Sequence, residues 1–437
     1  MFKNKKIILS FILTFFSSIF FTSCNKKNDK PISLTMWHVY GEQATSPMDE
    51  LVDEFNDSVG KKEGIVINVT ASSNSAEIGD ALLDSQAHNS GSKKMPDLFF
   101  CHTGNAEDLG VENLVDWNKY FSKDELDKYV PDFLEDGKVG KKLVVFPFSK
   151  STHLLFVNGS VFDRFSKDTG ASYDDLKTWE GFFDVSEKFY KWSKGKPFCA
   201  FDYYLREIEL SYLSNNPEKN LHNEVGWYDF DNIGFKNEFD KFSSSLVRGN
   251  IIISDLYANT QMMTGETFAG ISSSAAILYY NDTVTYPDNT SEPMNLKVLP
   301  LPKAKSGKKF DTLAGTGLCA YKTSEKKAEA AAVFAKWITQ KEQNLKFISE
   351  AGYMPVRKDA FEALSKYKYK DNSYKELYDV LFEMRKDYKF LPETYNYNRV
   401  LNFYDQLRER QNIWKARYEK GEDEKVLVDE CWQILKK

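Results

Sequence analysis

The feature that most constrains the fold is an alternation of strand and helix patterns near the start of the chain. Three short apolar runs have the β-branched and aromatic composition of buried strands: Ile32–Trp37, Ile65–Val69 and Asp97–Phe100. Amphipathic helix patterns, such as that of Met48, Leu51, Val52 and Phe55, separate these runs. Strands joined by helices form a parallel sheet covered by helices. The sequence therefore predicts an α/β fold, whose ligands lie beyond the carboxyl ends of the strands.

A second pattern lies at Lys141–Asn158, where two apolar runs flank a hydroxyl-rich segment, Ser149–Thr152. Pro147 cannot donate to a sheet ladder, so we expect the first strand to end there. One interpretation is a turn whose hydroxyls satisfy its own backbone. The other is a chain that crosses between two lobes, with its side chains directed into the gap. The 437 residues exceed the size of one ordinary core and favour two lobes.

The N-terminus has the order of an export signal. Three lysines precede the apolar run Ile7–Phe21, and small residues lead to Cys24. This arrangement resembles a bacterial lipoprotein signal, and it predicts a signal peptide over 1–23, lipidation of Cys24 and a polar tether over 24–31. The alternatives are a signal cut elsewhere or an uncleaved anchor. In each case we expect an exported protein, and the lipoprotein interpretation predicts that it is anchored to the membrane.

Charge and motifs exclude several functions. After removal of the signal, 55 basic residues face 64 acidic ones, which opposes binding of nucleic acid. Catalytic and nucleotide-binding motifs are absent from the sequence, so we expect neither enzymatic activity nor a metal or cofactor. The remaining cysteines lack metal-site spacing and are either buried thiols or disulfide partners: Cys101, Cys199, Cys319 and Cys431.

Several stretches, in order along the chain, resemble the family 1 extracellular solute-binding proteins of ABC importers, which include maltose-binding and glycerol-3-phosphate-binding proteins. They are residues 36–42, 51–56, 96–100, 145–165, 178–189, 268–276, 298–307, 328–338 and 351–360. The resemblance implies a two-lobed type II periplasmic-binding-protein fold with a ligand cleft between the lobes. We expect an N-terminal lobe of residues 32–146 plus 285–337 and a C-terminal lobe of residues 147–284 plus 338–437.

The function that this resemblance implies is capture of a small solute by hinge closure, followed by delivery to an ABC permease. The expected solute is a carbohydrate or a sugar-phosphate-like molecule, and the expected protein is a monomeric lipoprotein. Two alternatives from other classes remain: an exported carbohydrate-active enzyme, and a surface lipoprotein that keeps the fold without transport.

The resemblance to the glycerol-3-phosphate-binding members also implies ligand-contacting residues. Matching positions are Ser151, Ser273, Gly315, Tyr353 and Arg399. Hydroxyls, a glycine amide and a guanidinium would suit a phosphate group. Thr103 stands where those members have a glutamate, so the polyol end of the site is left open.

Aromatic residues near predicted strand ends form a second group of candidates. Trp37 and Tyr204 are among them, together with Tyr40, Tyr203 and the pair Trp227–Tyr228. Aromatic faces at such positions can stack on the apolar face of a sugar ring.

Overall fold

The structure is a computed structural model that describes residues 30–40, 47–72, 77–219, 221–223, 226–255, 257–369, 371–393 and 397–437. The predicted signal peptide over 1–23, the lipidation site Cys24 and most of the tether over 24–31 lie outside the described residues. Among the helices in these ranges, none combines the length and apolar character needed to cross a membrane.

The strands, in chain order, are β1 Ile32–His38, β2 Ile65–Ser72, β3 Leu98–Cys101, β4 Lys138–Val139, β5 Lys142–Leu143, β6 Phe146–Pro147, β7 His153–Asn158, β8 Cys199–Phe201, β9 Ile251–Ile253, β10 Ala269–Ser273, β11 Thr283–Thr285, β12 Ser291–Pro293, β13 Leu296–Pro300, β14 Phe310–Leu313, β15 Gly317–Ala320 and β16 Lys389–Pro392. The three strands predicted before residue 101 are present, each within a few residues of its expected position.

The α-helices are Pro47–Phe55, Lys61–Glu63, Ile78–Gln86, Thr103–Asp108, Lys123–Leu126, Pro131–Asp136, Gly159–Thr169, Trp179–Trp192, Tyr204–Asn215, Ile233–Val247, Ala258–Met263, Glu325–Ile338, Lys341–Ala351, Lys358–Ala363, Asn372–Asp387, Tyr397–Glu419 and Glu424–Lys436. Side-chain caps fix several of their starts. Asn158, Thr178 and Ser324 each accept a hydrogen bond from a backbone N–H of the first turn.

Two five-stranded sheets form the cores of two lobes. The first has the strand order β2-β1-β3-β15-β6, in which β1 pairs in parallel with β2 and β3, and β15 is antiparallel to both of its neighbours. The second has the order β13-β7-β10-β8-β9, with β8 parallel to β9 and β10. This arrangement confirms the predicted two-lobed α/β architecture.

Strand pairing corrects the predicted lobe boundaries. The predicted first lobe includes all of residues 285–337, but β13 pairs with β7 of the second sheet, from Leu296 opposite Asn158 onward. The predicted second lobe includes residues 338–437, yet the helix Lys341–Ala351 packs on the helix Pro47–Phe55 of the first lobe. Hydrogen-bond register and helix packing, which have no local sequence signal, decide both points.

Along the strands of the two five-stranded sheets, the chain passes from one sheet to the other twice. The first crossing joins β6 to β7 through Phe148–Thr152, and the second runs from the end of β13 to β15 and includes β14. The two crossings lie side by side, because Ser151 and Ala314 exchange a pair of backbone hydrogen bonds of 3.0 Å each. The crossing interpretation of Ser149–Thr152 is therefore correct.

The two crossings are packed so closely at Gly315 that a side chain there would not fit. Its φ of +94° lies in the region that favours glycine, and a Cβ there would lie 2.0 Å from the Ser149 carbonyl oxygen. We predict that Gly315→Ala lowers the free energy of unfolding by about 2–4 kcal/mol, through backbone strain and overpacking. Urea denaturation measures the change. Gly104→Ala is the control, since a Cβ at Gly104 meets no atom within 4 Å; equal effects of the two substitutions would contradict the packing argument.

Candidate functional site

The site is organised by the backbone of the first crossing, which bonds to three other segments of the chain. Ser149 and Ser151 bond to Thr316 and Ala314 of the second crossing. The Lys150 carbonyl accepts a 2.6 Å hydrogen bond from the amide of Met354, and the Thr152 carbonyl accepts one of 2.7 Å from Ser274. Four segments distant in sequence thus meet around four consecutive residues. Each segment places a residue predicted from the sequence beside the others: Ser151, Ser273, Gly315 and Tyr353.

The hydroxyl groups of the first crossing differ in whether another group of the protein forms a hydrogen bond with them. The Ser149 hydroxyl is fully buried and bonds to Tyr40 Oη at 2.6 Å and Thr316 Oγ1 at 3.0 Å. Thr152 Oγ1 donates to the Thr312 carbonyl at 2.8 Å. Within the described part of the chain, Ser151 Oγ has no hydrogen-bond partner. Ser151, which is 4% exposed, is therefore the residue of this segment whose hydroxyl is not used by the described part of the fold.

Tyr353 forms an aromatic wall with two neighbours from the first lobe. Its ring stacks on Phe347, with centroids 5.9 Å apart and planes at 13°, and it meets the Tyr40 ring edge-on at 6.2 Å. Burial, followed by the nearby Tyr279 hydroxyl, raises the pKa of Tyr353 above its usual value. The phenol therefore stays protonated and can donate a hydrogen bond at neutral pH.

Ser273 reaches the site from the second lobe, since β10 ends where β7 begins and Ser273 lies opposite His153. Its Oγ accepts a 3.3 Å hydrogen bond from the Ala275 amide. The side chain remains half-buried. A serine in this position can still donate its hydroxyl hydrogen to a solute.

Two predicted contacts are wrong, because the side chains are packed inside the lobes. Tyr204 is fully buried in the second core, where its hydroxyl lies 3.2 Å from Ser243 Oγ. Trp37 is 3% exposed, and its indole N–H donates to Thr70. Neither ring presents a face to a cleft. Both are strand-adjacent aromatics whose packing neighbours come from distant parts of the sequence.

Arg399 lies apart from the four residues that converge on the crossing. It is half-buried on the helix Tyr397–Glu419, with its guanidinium carbon 4.2 Å from the centroid of the Trp227 ring. Trp227 is buried and donates to the Leu435 carbonyl. The cation therefore packs on an aromatic face of the second lobe.

Sequence inspection missed a buried ion pair beside the two crossings. Lys150 Nζ lies 2.6 Å from Asp136 Oδ2 and 3.3 Å from the Gly315 carbonyl, with 1% of the lysine side chain exposed. Burial, reinforced by the Lys150 charge, lowers the pKa of the adjacent His102 to about 4. The lysine within the hydroxyl-rich segment was the available signal, since a charge between two buried strands requires a partner.

A second group that the sequence did not reveal surrounds His153, at the start of β7. The fully buried imidazole stacks on Tyr203 at 4.0 Å, and its Nδ1 lies 2.7 Å from Glu207 Oε1. Burial lowers the pKa of His153 to about 4 and raises the pKa of Glu207 well above its usual value. Both shifts favour uncharged partners. Glu393 lies 3.9 Å from His153 Nε2, with 29% of its side chain exposed.

The same region fastens the second crossing to the second lobe. The buried Arg206 donates to Thr312 Oγ1 and to the carbonyls of Leu391 and Pro392, and it pairs with Glu209 at 3.1 Å. Asp311 accepts a 2.7 Å hydrogen bond from the Thr312 amide, and burial raises the pKa of its carboxyl group.

Because the His153 imidazole is neutral in the folded protein, the free energy of unfolding should depend on pH. An unfolded histidine takes up a proton near pH 6.5, whereas folded His153 resists protonation down to about pH 4. Its contribution to stability is therefore present above pH 6.5 and lost as the pH falls. We predict that His153→Gln reduces the loss of unfolding free energy between pH 7 and pH 5 by about 2 kcal/mol.

Urea unfolding at pH 7 and pH 5 measures the loss of unfolding free energy in the parent and in the variant. The carboxyl groups contribute to this loss in both proteins, so the difference between the two losses reports on His153. His88→Asn, at an exposed position, is the control and should retain the pH dependence of the parent protein. An unchanged pH dependence in His153→Gln would show that folded His153 titrates normally.

Taken together, the segments that meet at the first crossing bring hydroxyls, backbone groups and aromatic rings from both lobes close together. Such groups suit hydrogen bonding and stacking of a small polar solute. The groups come from strand ends and crossing segments, so movement of one lobe would change their spacing.

The fold is similar to that of many solved binding proteins. An ABC substrate-binding protein of Listeria monocytogenes in complex with cycloalternan has a TM-score of 0.69 at 16% identity, covering 93% of this chain and 98% of that one. The cyclic alpha-maltosyl-1,6-maltose binding protein of Arthrobacter globiformis gives 0.64 at 15%, covering 93% and 98%. UgpB of Mycobacterium tuberculosis in complex with glycerophosphocholine gives 0.64 at 14%, covering 93% and 97%.

Sequence comparison gives the family directly. The curated proteins contain no significant match to the chain. The family model for bacterial extracellular solute-binding proteins matches residues 50–374, about three quarters of the chain. The protein therefore belongs to the bacterial extracellular solute-binding proteins, the substrate-binding components of ABC importers.

Proposed function

We propose that this solute-binding protein captures a carbohydrate or a sugar-phosphate-like solute between its lobes and delivers it to the permease of an ABC importer. The observation that carries this proposal is the convergence of Ser151, Ser273, Gly315 and Tyr353 on the first crossing. Hydroxyl donors beside an aromatic wall are the groups that recognise polyhydroxylated molecules. The similar structures support this class of ligand, since they include a complex with cycloalternan, a cyclic alpha-maltosyl-1,6-maltose binding protein and a complex with glycerophosphocholine.

Capture works through the two crossings. A solute held by Ser273 of the second lobe and Tyr353 beside the first bridges elements that move relative to each other. Such a ligand favours the closed arrangement by its higher affinity for it. The permease then recognises the closed form. No covalent step is required, so we propose that the protein binds its solute without converting it.

The anchor and assembly state belong to the same proposal. Cleavage after residue 23 and lipidation of Cys24 would hold the monomer at the membrane, where the permease lies. Mass spectrometry of the protein from membranes tests this directly. A mature chain that begins before or after Cys24, or that carries no lipid, would contradict the anchor.

We predict that a carbohydrate ligand raises the melting temperature, because it binds the folded form preferentially. Differential scanning fluorimetry with mono-, di- and oligosaccharides, glycerol 3-phosphate and glycerophosphocholine measures the shift. Absence of a shift across the whole panel would oppose solute capture. Release of products from any of these compounds would instead show an exported enzyme.

Ser151 gives a more specific prediction. Ser151→Ala should weaken the ligand found in that panel by about tenfold, because one hydrogen bond from a cleft hydroxyl is lost. Ser365→Ala is the control, since Ser365 is exposed on a short helical turn outside the crossing. Isothermal titration calorimetry compares the three proteins. Equal affinities would remove Ser151 from the binding site.

A further inference from the structure

Two cysteines of the first lobe face each other across neighbouring strands. Cys101 ends β3 and Cys319 lies in β15, and their Sγ atoms are 3.5 Å apart. In the antiparallel pairing of these strands, Cys101 is opposite Gly317 and Cys319 is opposite Phe99. Side chains two positions apart share a face of a sheet, so the cysteines are diagonal neighbours on one face. The contact joins positions that are 218 residues apart in the chain.

The remaining cysteines of the described ranges have different surroundings. The four cysteines of these ranges carry free thiols in the structure. Cys199 and Cys431 belong to the core of the second lobe, where their thiols donate to the carbonyls of Ala200 and Leu427. The Cys101 thiol, in contrast, lies in hydrogen-bonding contact with a second thiol.

The compartment of the protein favours a bond between neighbouring thiols. Bacterial extracellular solute-binding proteins, to which the chain belongs, work outside the cytoplasm. Disulfides form and persist there, whereas the cytosol keeps thiols reduced. Bonded sulfur atoms lie about 2 Å apart, so these two must approach each other by about 1.5 Å. Rotation of the two side chains moves the sulfur atoms over such a distance without a change in strand pairing.

We propose that Cys101 and Cys319 form a disulfide in the exported protein, which fastens β15 to β3. The two thiols lose two protons and two electrons when the bond forms. The disulfide of an exported thiol oxidoreductase accepts the electrons and is reduced to two thiols, through a mixed disulfide with one of the cysteines. β15 lies between β3 and β6, and both sulfur atoms are fully buried, so this exchange takes place before the sheet is complete.

The position of the bond gives it a mechanical role. Cys319 lies four residues after Gly315, and Gly317, opposite Cys101, is the first residue of β15. The second crossing therefore enters the first sheet at this point. A disulfide here would hold the end of that crossing to the sheet while the lobes move. Burial also raises the pKa of the Cys319 thiol, which disfavours the reactive thiolate in the folded protein.

Peptide mapping tests the bond directly. The protein is purified from its cell envelope and denatured in N-ethylmaleimide without a reductant, so that each free thiol is alkylated. Trypsin places Cys101 in the peptide 95–119 and Cys319 in the peptide 310–322. We expect these two peptides as one disulfide-linked species that separates after reduction. Cys199 and Cys431, in the peptides 195–206 and 426–436, should carry the maleimide and serve as controls for oxidation during handling.

Urea unfolding measures what the bond contributes to stability. Equilibration with dithiothreitol should lower the midpoint of unfolding of the parent protein by about 1 M, because a cross-link that closes a long loop restricts the unfolded chain. Cys319→Ala should lose this dependence on the reductant. Cys431→Ala, which removes another buried thiol, is the control and should retain it. If Cys319→Ala does not fold, peptide mapping of the parent protein still decides whether the bond exists.

Three outcomes would overturn the inference. They are maleimide on both Cys101 and Cys319 in the unreduced protein, linkage of either one to a different cysteine, and a midpoint of the parent protein that dithiothreitol leaves unchanged. None of these measurements involves a solute. The disulfide and the proposed function are therefore tested separately, and either one can fail while the other stands.

Discussion

The structure depends on the backbone hydrogen bonds of Ser149–Thr152. These residues bond to the second crossing through Ala314 and Thr316, to the segment after the helix Lys341–Ala351 through Met354, and to the second lobe through Ser274. Because buried backbone groups must be paired, four distant parts of the chain are held at one place. The side chains that adjoin these bonds are thereby brought together at the junction of the lobes.

Buried charged and polar groups lie beside both crossings, and each must find a partner there because it is shielded from water. Lys150 meets Asp136, Arg206 meets Glu209, and His153 meets Glu207. Each pairing gives a partner to a polar or charged group that is shielded from water.

The sequence predicted the early strands and the first crossing well, because both have local patterns. Alternating strand and helix composition located β1, β2 and β3, and Pro147 marked the end of β6. It failed for β13, whose partner is chosen by hydrogen-bond register in three dimensions. It also failed for Trp37 and Tyr204, since an aromatic residue beside a strand has the same local pattern in a core as in a cleft.

The sequence by itself determined the family, the two-lobed α/β fold and the segment in which the lobes join. Those features depend on hydrophobic periodicity and on residue order, which are written along the chain. Only the tertiary structure decided which hydroxyls of Ser149–Thr152 have partners in the fold, and which carboxylate pairs with Lys150. Both depend on partners more than a hundred residues away or on another element of the fold, and distance along the chain does not reveal such neighbours.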